Sequence, residues 1–342
     1  MTFFKKAKHF VKATAHLFIA AGKGFMEDRV MKLSAALAYY TIFSLTPLII
    51  IVISAASLFL GSSPVSGGTG INPSEELFSE IRDLVGDDAA AQLQTFVTNA
   101  NTTGKSTAGL IIGIVTLVIG ATAIFIEIQD SINLIWKVKA VPKKGWKKLL
   151  INRLLSFSLI VSLGFLLLVS LVINSIVVAI GDKLGYLLSS SKIAEYLPVI
   201  DNTTTLLITI LNNAITLAAV TAVFTIIFKV LPDVVLKWKP AILGALFTAL
   251  LFSLGKYIIG IYIVKGNPGS AFGAASSLIV ILLWVYYTAI ILYFGAEFTQ
   301  AYAERYAKGI KPSKYAVHTK IVVVEKEVAV LPPQHPEDTK IE

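Results

Sequence analysis

Long apolar runs alternating with short polar segments dominate the chain. The clearest pair lies over 241–264 and 272–296, joined by a Gly/Pro/Ser loop at 265–269. Each run has the roughly 20 residues that a helix needs to cross the hydrocarbon core of a bilayer. The turn between them is too short for a domain, so the pattern predicts a transmembrane hairpin. Four further runs precede it, over 33–60, 108–135, 151–180 and 204–228. Pro47, within SLTPLI, should kink the first of these. Ser34, Ala35 and Ala38 give the same run a small-residue face for close packing. The expected fold is all-α: a polytopic membrane protein of six transmembrane helices.

The polar segments have patterns of their own. Over 3–21, Phe3, Phe4, Phe10, Val11, Leu17 and Phe18 share one helical face, with Lys5, Lys8, His9, Lys12 and His16 opposite. That suits an amphipathic helix in the headgroup layer, with packing on other cytoplasmic segments as the alternative. In the loop 61–107, Asn72-Pro73-Ser74-Glu75 reads as a helix start with Pro at its first position. Leu77, Phe78, Ile81, Leu84 and Val85 follow at helical spacing, and Leu93, Phe96 and Val97 suggest a second short helix. Two amphipathic helices should therefore cap the outer surface. The organisation expected is a basic N-terminal segment 1–32, a transmembrane domain 33–306 and a mobile tail 307–342.

Composition supports the class. The 342 residues are 55% hydrophobic and 15% charged, against about 25% charged in soluble proteins. The net charge of +9 is concentrated. Lys137, Lys139, Lys143, Lys144, Lys147 and Lys148 occur without one intervening acid, and 229–240 is basic too. The loops at 61–107 and 181–203 are neutral to acidic. Six spans with both termini in the cytoplasm satisfy the positive-inside rule at every loop. The basic N-terminus lacks a long apolar region with a small-residue cleavage site, so no cleavable signal is expected. The chain has no cysteine, which excludes disulfides, thiol catalysis and cysteine metal sites. His9, His16, His318 and His335 all lie in the terminal segments, leaving no histidine base or metal cluster in the core.

Candidate chemistry rests on polar groups inside the apolar runs, where each needs a reason. Glu127, Asp130 and Asn133 recur at i, i+3 and i+6 and are expected on one face. Glu297 shares a stripe with Tyr286, Tyr293 and Gln300. Arg29, Lys32 and Arg153 lie at a similar depth. The functional account of Glu127, Asp130, Arg153 and Glu297 is a proton or cation path. The plainer account, favoured by the matching cations, is an ion-pair network that fixes helix register. Arg153 is expected to pair with Asp130, Glu127 or Glu297.

In the outer half of their spans, Thr205, Thr209, Asn212 and Thr216 form one stripe and Lys256 stands alone. Interhelical hydrogen bonding accounts for the stripe by itself. Lys256 lies about 12 Å of helix rise from the outer headgroups, with no acid on any span at its depth. Taken together, Lys256, Thr205, Thr209 and Asn212 are read as a hydrated site for a phosphate or carboxylate group. No GxGxxG after a strand, Walker A or HExxH motif is present. The reading is thus not an enzyme, with no cofactor, no metal and no nucleic acid. Anionic lipid headgroups are the expected partners of the lysine run.

Four segments together resemble the YihY/virulence factor BrkB family of bacterial inner-membrane proteins, formerly labelled ribonuclease BN. They are Asp28-Arg29 with LSAALAYYTIFSLTPL (33–48), IQDSINLIWKV (128–138), NRLLSFSLIVSLGFLLLVSLV (152–172), and LPDVVLKWKPAILGA (231–245) running through SLGK (253–256) to SSLIVILLWVYYTAIILYFGAEF (276–298). Asp130 and Glu297 fall inside these segments. The turn at 265–272 departs from the family's Gly/Ser/Tyr-rich form, and the tail after 307 has no family pattern. The resemblance implies six helices, an inner-membrane location and a role in transport or scaffolding at the envelope. The expected function is a transporter or flippase-like carrier of an anionic envelope molecule, lipids included. A non-transporting scaffold for envelope proteins or anionic lipids is the alternative. Ribonuclease action is not expected, because the paired carboxylates lie in the membrane zone and no core histidine can act as a base.

Overall fold

The computed structural model describes residues 2–42, scattered positions between 78 and 95, 107–141, 199–266, 272, 276–307 and 309–320. Its helices are α1 (Thr2–Glu27), α2 (Val30–Ile42), α3 (Thr107–Ile135), α4 (Val199–Val230), α5 (Trp238–Gly266) and α6 (Ser276–Tyr306). Four short strands complete it: β1 (Val138–Ala140), β2 (Val234–Val235), β3 (Lys311–Pro312) and β4 (Ala316–His318). Among the described residues, Asn213–Val230, Trp238–Gly266 and Leu278–Tyr306 are long and apolar enough to cross a membrane. The run 151–180 with Arg153, and Pro47, lie outside the described residues. Within the loop 61–107 the described positions are helical, with Phe78 and Ala90 buried.

The α5–α6 hairpin is the frame on which the other helices pack. Pro240 sits in the first turn of α5, where its missing N–H costs nothing. Each helix carries the pentapeptide Gly-Ala-x-Phe-Thr, at 244–248 and 295–299. The antiparallel pairing makes these reciprocal: Thr299 lies on Gly244, and Thr248 lies on Gly295. Both threonines are fully buried, and their hydroxyls donate back to the Gly244 and Gly295 carbonyls at 2.7 Å. Phe247 stacks on Phe298 with ring centroids 3.9 Å apart. Small residues let the backbones approach, as membrane helices require when no solvent drives them together. Farther along, Gly255 leaves room for the Tyr287 and Ile291 side chains. On the far side of α5, α4 lies alongside, and Phe224 meets Phe252 edge-on.

The second half of α1 packs on α6. Phe25 meets Phe294, while Phe18 meets Phe298 and Phe247. Leu17 and Ala21 are buried with Phe298. Because the numbers rise along α1 as they fall along α6, the two helices run antiparallel there. Residues 17–25 therefore pack on the membrane-capable helix α6, a partner that neither the headgroup placement nor packing on cytoplasmic segments had named.

The start of the tail differs from the mobile segment expected after 307. β4 pairs antiparallel with β1, matching Val138 to His318 and Ala140 to Ala316. β3 pairs with β2, matching Val234 to Pro312 and Val235 to Lys311. Backbone bonds from Val141 to Tyr315 and from Thr319 to Lys137, both 2.8 Å, extend the first pair. The loops after α3 and α4 offer free strand edges, and the tail satisfies them. Residues 321–342 lie outside the described set.

Candidate functional site

The site lies at the end of the bundle where α1, α3 and α6 converge. α3 ends in a left-handed residue: Trp136 N donates to Ile132 O at 2.9 Å, Lys137 N to Leu134 O at 3.0 Å, and Lys137 has φ 55°. Glycine usually holds such a position, and another residue there costs about 1–2 kcal/mol. Here a lysine is kept, and its ammonium bonds the Asp28 carboxylate in the turn between α1 and α2. The next residue in that turn, Arg29, is also left-handed, at φ 51°. Trp136 fixes the level of α3 against α6 by donating its indole N–H to the Ala296 carbonyl at 3.0 Å.

Glu297 is buried at the same level. It packs over Gly24 of α1, where a Cβ would meet its carboxylate, so a side chain at position 24 would make the Glu297 carboxylate shift. Glu297 faces Asp28 and Lys137, with Glu27 farther out. Its Oε1 makes no hydrogen bond among the described residues. One turn back along α6, the fully buried Tyr293 hydroxyl faces Ser131 and Glu127 of α3, again without a hydrogen bond. Ser131 Oγ donates to Glu127 Oε1 at 3.3 Å.

A second knot closes the base of α3. Asn133 Nδ2 donates to Asp233 Oδ2 at 2.9 Å, and Asp233 N donates to Asn133 Oδ1 at 2.9 Å. Ser313 N donates to the Asp233 carbonyl at 3.0 Å, bringing the tail onto the same residue. Burial, and then the Asp233 carboxylate, push the Tyr315 phenol above its ordinary pKa. Beside the knot lies an open cavity of ≈650 Å³, lined by Asp130, Asn133, Leu134, Lys137, Lys139 and Thr319 among others.

The residues expected from the sequence divide as follows. Glu297 joins a cluster, and the cation beside it is Lys137. Arg153, expected in that role, lies outside the described residues. Glu127, Asp130 and Asn133 do not share one face: Glu127 faces Tyr293, Asp130 is exposed on the cavity and Asn133 is buried against Asp233. The reason is the helix period, since six residues turn a side chain about 120° away from where it began. Lys256 is half-buried, its Nζ 5.5 Å from the Tyr257 ring centroid. Thr205, Thr209 and Asn212 lie on α4, the helix beside α5, and their side chains are outside the described set. Asp28 and Asp233 fall inside the family segments, and the sequence pattern gave neither a chemical role. The signal available for Asp233 was an acid in a basic, Pro-containing turn.

A family model described as virulence factor BrkB matches residues 21–318. A UPF0761 membrane protein of Pseudomonas paraeruginosa is 27% identical over 295 residues, covering 86% of this chain and 62% of the relative. One from Saccharophagus degradans is 28% identical over 305 residues, covering 87% and 62%. A third, from Stenotrophomonas maltophilia, is 26% identical over 287 residues, covering 82% and 59%. The chain therefore spans about three-fifths of the length of these curated relatives. No solved structure matches it.

Proposed function

The chain belongs to the virulence factor BrkB family of membrane proteins, and from that premise we propose that it carries an anionic envelope molecule across the membrane, loading at its lysine-bearing end. The observation that carries this reading is the ≈650 Å³ cavity at the base of α3. Its lining holds Lys139, Asn133 and Thr319, the Asp28-bonded Lys137, one acid, Asp130, and the apolar Leu134; Lys139 is the ammonium it offers to an anionic headgroup with a hydrocarbon neighbour. Lys256, with Thr205, Thr209 and Asn212 on α4, is the second contact for the anionic group, nearer the opposite surface. In this reading the chain has six spans with both termini inside, and the cavity faces the cytoplasm at a bacterial inner membrane. The strand pairs support that orientation, because they gather the loops after α3 and α4 and the start of the tail at one end. Single cysteines at Ser63, Asn101, Lys144 and Ser313 in this cysteine-free chain report the orientation with an impermeant thiol reagent. Labelling of Lys144→Cys in intact cells would overturn it.

Proteoliposomes test the carrier reading with headgroup-labelled phosphatidylglycerol against phosphatidylcholine. The wild type should translocate the anionic lipid preferentially. Lys139→Glu and Lys256→Met should each lower the rate about tenfold or more, the scale of one charge-assisted hydrogen bond, with thermal stability nearly unchanged. A scaffold for envelope proteins or anionic lipids is the second reading. It is favoured by how firmly the base is tied, through the Asn133–Asp233 bonds and two strand pairs. Binding of anionic lipid without translocation decides for the scaffold. Wild-type rates in Lys256→Met would exclude that residue from the path.

A further inference from the structure

Two carboxylates and one ammonium meet where α1, α3 and α6 converge. The Asp28 side chain is 7% exposed and bonds Lys137, and Glu297 is 4% exposed beside both. Among the described residues, the other charge facing Glu297 is Glu27 of α1, which is 61% exposed and pairs with Lys23 at 3.8 Å. Arg29 and Lys32 are exposed to solvent. Among the described residues the two buried carboxylates face one partly exposed ammonium, so with both ionised one negative charge is left unpaired. Burying an uncompensated charge is far costlier than binding a proton to remove it.

The surroundings are open to such a ligand. Glu297 Oε1 and the Tyr293 hydroxyl are both more than nine-tenths buried and make no hydrogen bond among the described residues. Above them Ser131 and Glu127 continue the polar row on α3. From Lys137 back to Glu127 the row climbs about 15 Å of helix rise, half of a hydrocarbon core about 30 Å thick. The turns that form the site hold Arg29 and Lys137 in left-handed backbone, a cost that surrounding structure must offset.

We propose that Asp28 and Glu297 hold one exchangeable proton between them beside Lys137, forming a proton-binding site at the foot of the Tyr293–Ser131–Glu127 row. Binding places the proton on a carboxylate oxygen and leaves the cluster neutral. Release returns it to water and leaves one negative charge. The site does not depend on the identity of any cargo, and it can exist in a carrier or in a scaffold.

The test is the pH dependence of unfolding of the full chain in nanodiscs. A proton held by the folded state and released on unfolding makes stability fall as pH rises above the ordinary carboxylate range. The wild-type unfolding constant should rise about tenfold per pH unit through that window. Glu297→Gln and Asp28→Asn should each remove the slope, since either leaves one carboxylate against one ammonium. The double variant strands Lys137 and should melt lower at every pH, while Lys137→Met should steepen the slope. A wild type without a slope, or single variants that melt lower by the same amount at all pH values with the slope intact, would overturn the site. Stability that rises with sodium concentration but shows no such slope would make the ligand a metal cation and equally overturn it. Should the variants fail to fold, infrared spectroscopy of the wild type decides: a protonated-carboxyl band must be present and disappear reversibly as pH rises. Its absence is fatal to the proposal.

Discussion

Asn133→Asp is expected to remove most folded protein, and adding Asp233→Asn to it is expected to restore much of what was lost. Asn133 and Asp233 are 5% and 2% exposed and joined by two hydrogen bonds of 2.9 Å. Replacing the Asn133 amide turns a donor facing Asp233 Oδ2 into a second carboxylate. Two desolvated carboxylates at that distance cannot both ionise. Stranding one buried charge typically costs about 3–5 kcal/mol, a large part of a total stability of about 5–15 kcal/mol. The exchange N133D/D233N re-forms both bonds: the new amide donates to the new carboxylate, and the backbone N–H at 233 keeps its acceptor. Recovery should be incomplete, because Tyr315 interacts with the Asp233 carboxylate. Yield of monodisperse protein and thermal midpoint in a double-mutant cycle measure this. Additive losses in the exchange would show that the pair does not act as one unit.

Gly295→Val should be the most damaging change inside the hairpin. A Cβ there meets the fully buried Thr248 side chain. Leaving glycine in a helix returns about 1 kcal/mol of propensity at best. Overpacking a dense interface costs about 1–3 kcal/mol for an added methyl-sized group, and valine adds three carbons. The net expectation is a loss of about 2 kcal/mol or more, with Gly244→Val behaving alike against Thr299. Thr248→Ala removes two of the three atoms that crowd Gly295, so it should partly rescue Gly295→Val and leave Gly244→Val unrelieved. Gly260 is the control: nothing lies within 4 Å of a Cβ built on it. Gly260→Ala should melt at or slightly above the wild type. Equal losses at 260 and 295 would mean that helix geometry, and not interhelical contact, sets the effect.

Much of the helical plan was legible in the pattern of apolar runs. Length alone separates 241–264 and 272–296 as a hairpin, and the short turn between them forces antiparallel packing. The helical character of 108–135 and 204–228 follows equally from their apolar runs, and that of 3–21 from its amphipathic spacing; the helices observed extend somewhat beyond these bounds. The family was legible as well, since its motifs lie in the helices that the sequence delimits best. Reciprocity escaped notice: GALFT and GAEFT are short, and nothing in one dimension says that they will lie across from each other. The mobile-tail expectation failed at 309–320 for a related reason. Polar, Pro-containing composition reports the absence of a core, and it cannot report a partner edge 180 residues away.

The sequence by itself determined the class, because an apolar run of sufficient length has one low-cost solution in lipid, a helix with every backbone bond internal. It also determined which polar residues would need explaining. Only the tertiary structure decided their partners. Lys137 reaches Asp28 across 109 positions, Asn133 reaches Asp233 across 100, and Trp136 reaches Ala296 across 160. Periodicity assigns a residue to a face, within the 120° spread that misplaced Asn133 beside Glu127. Which element that face meets depends on how the helices pack, and packing is set by the shapes of all of them at once.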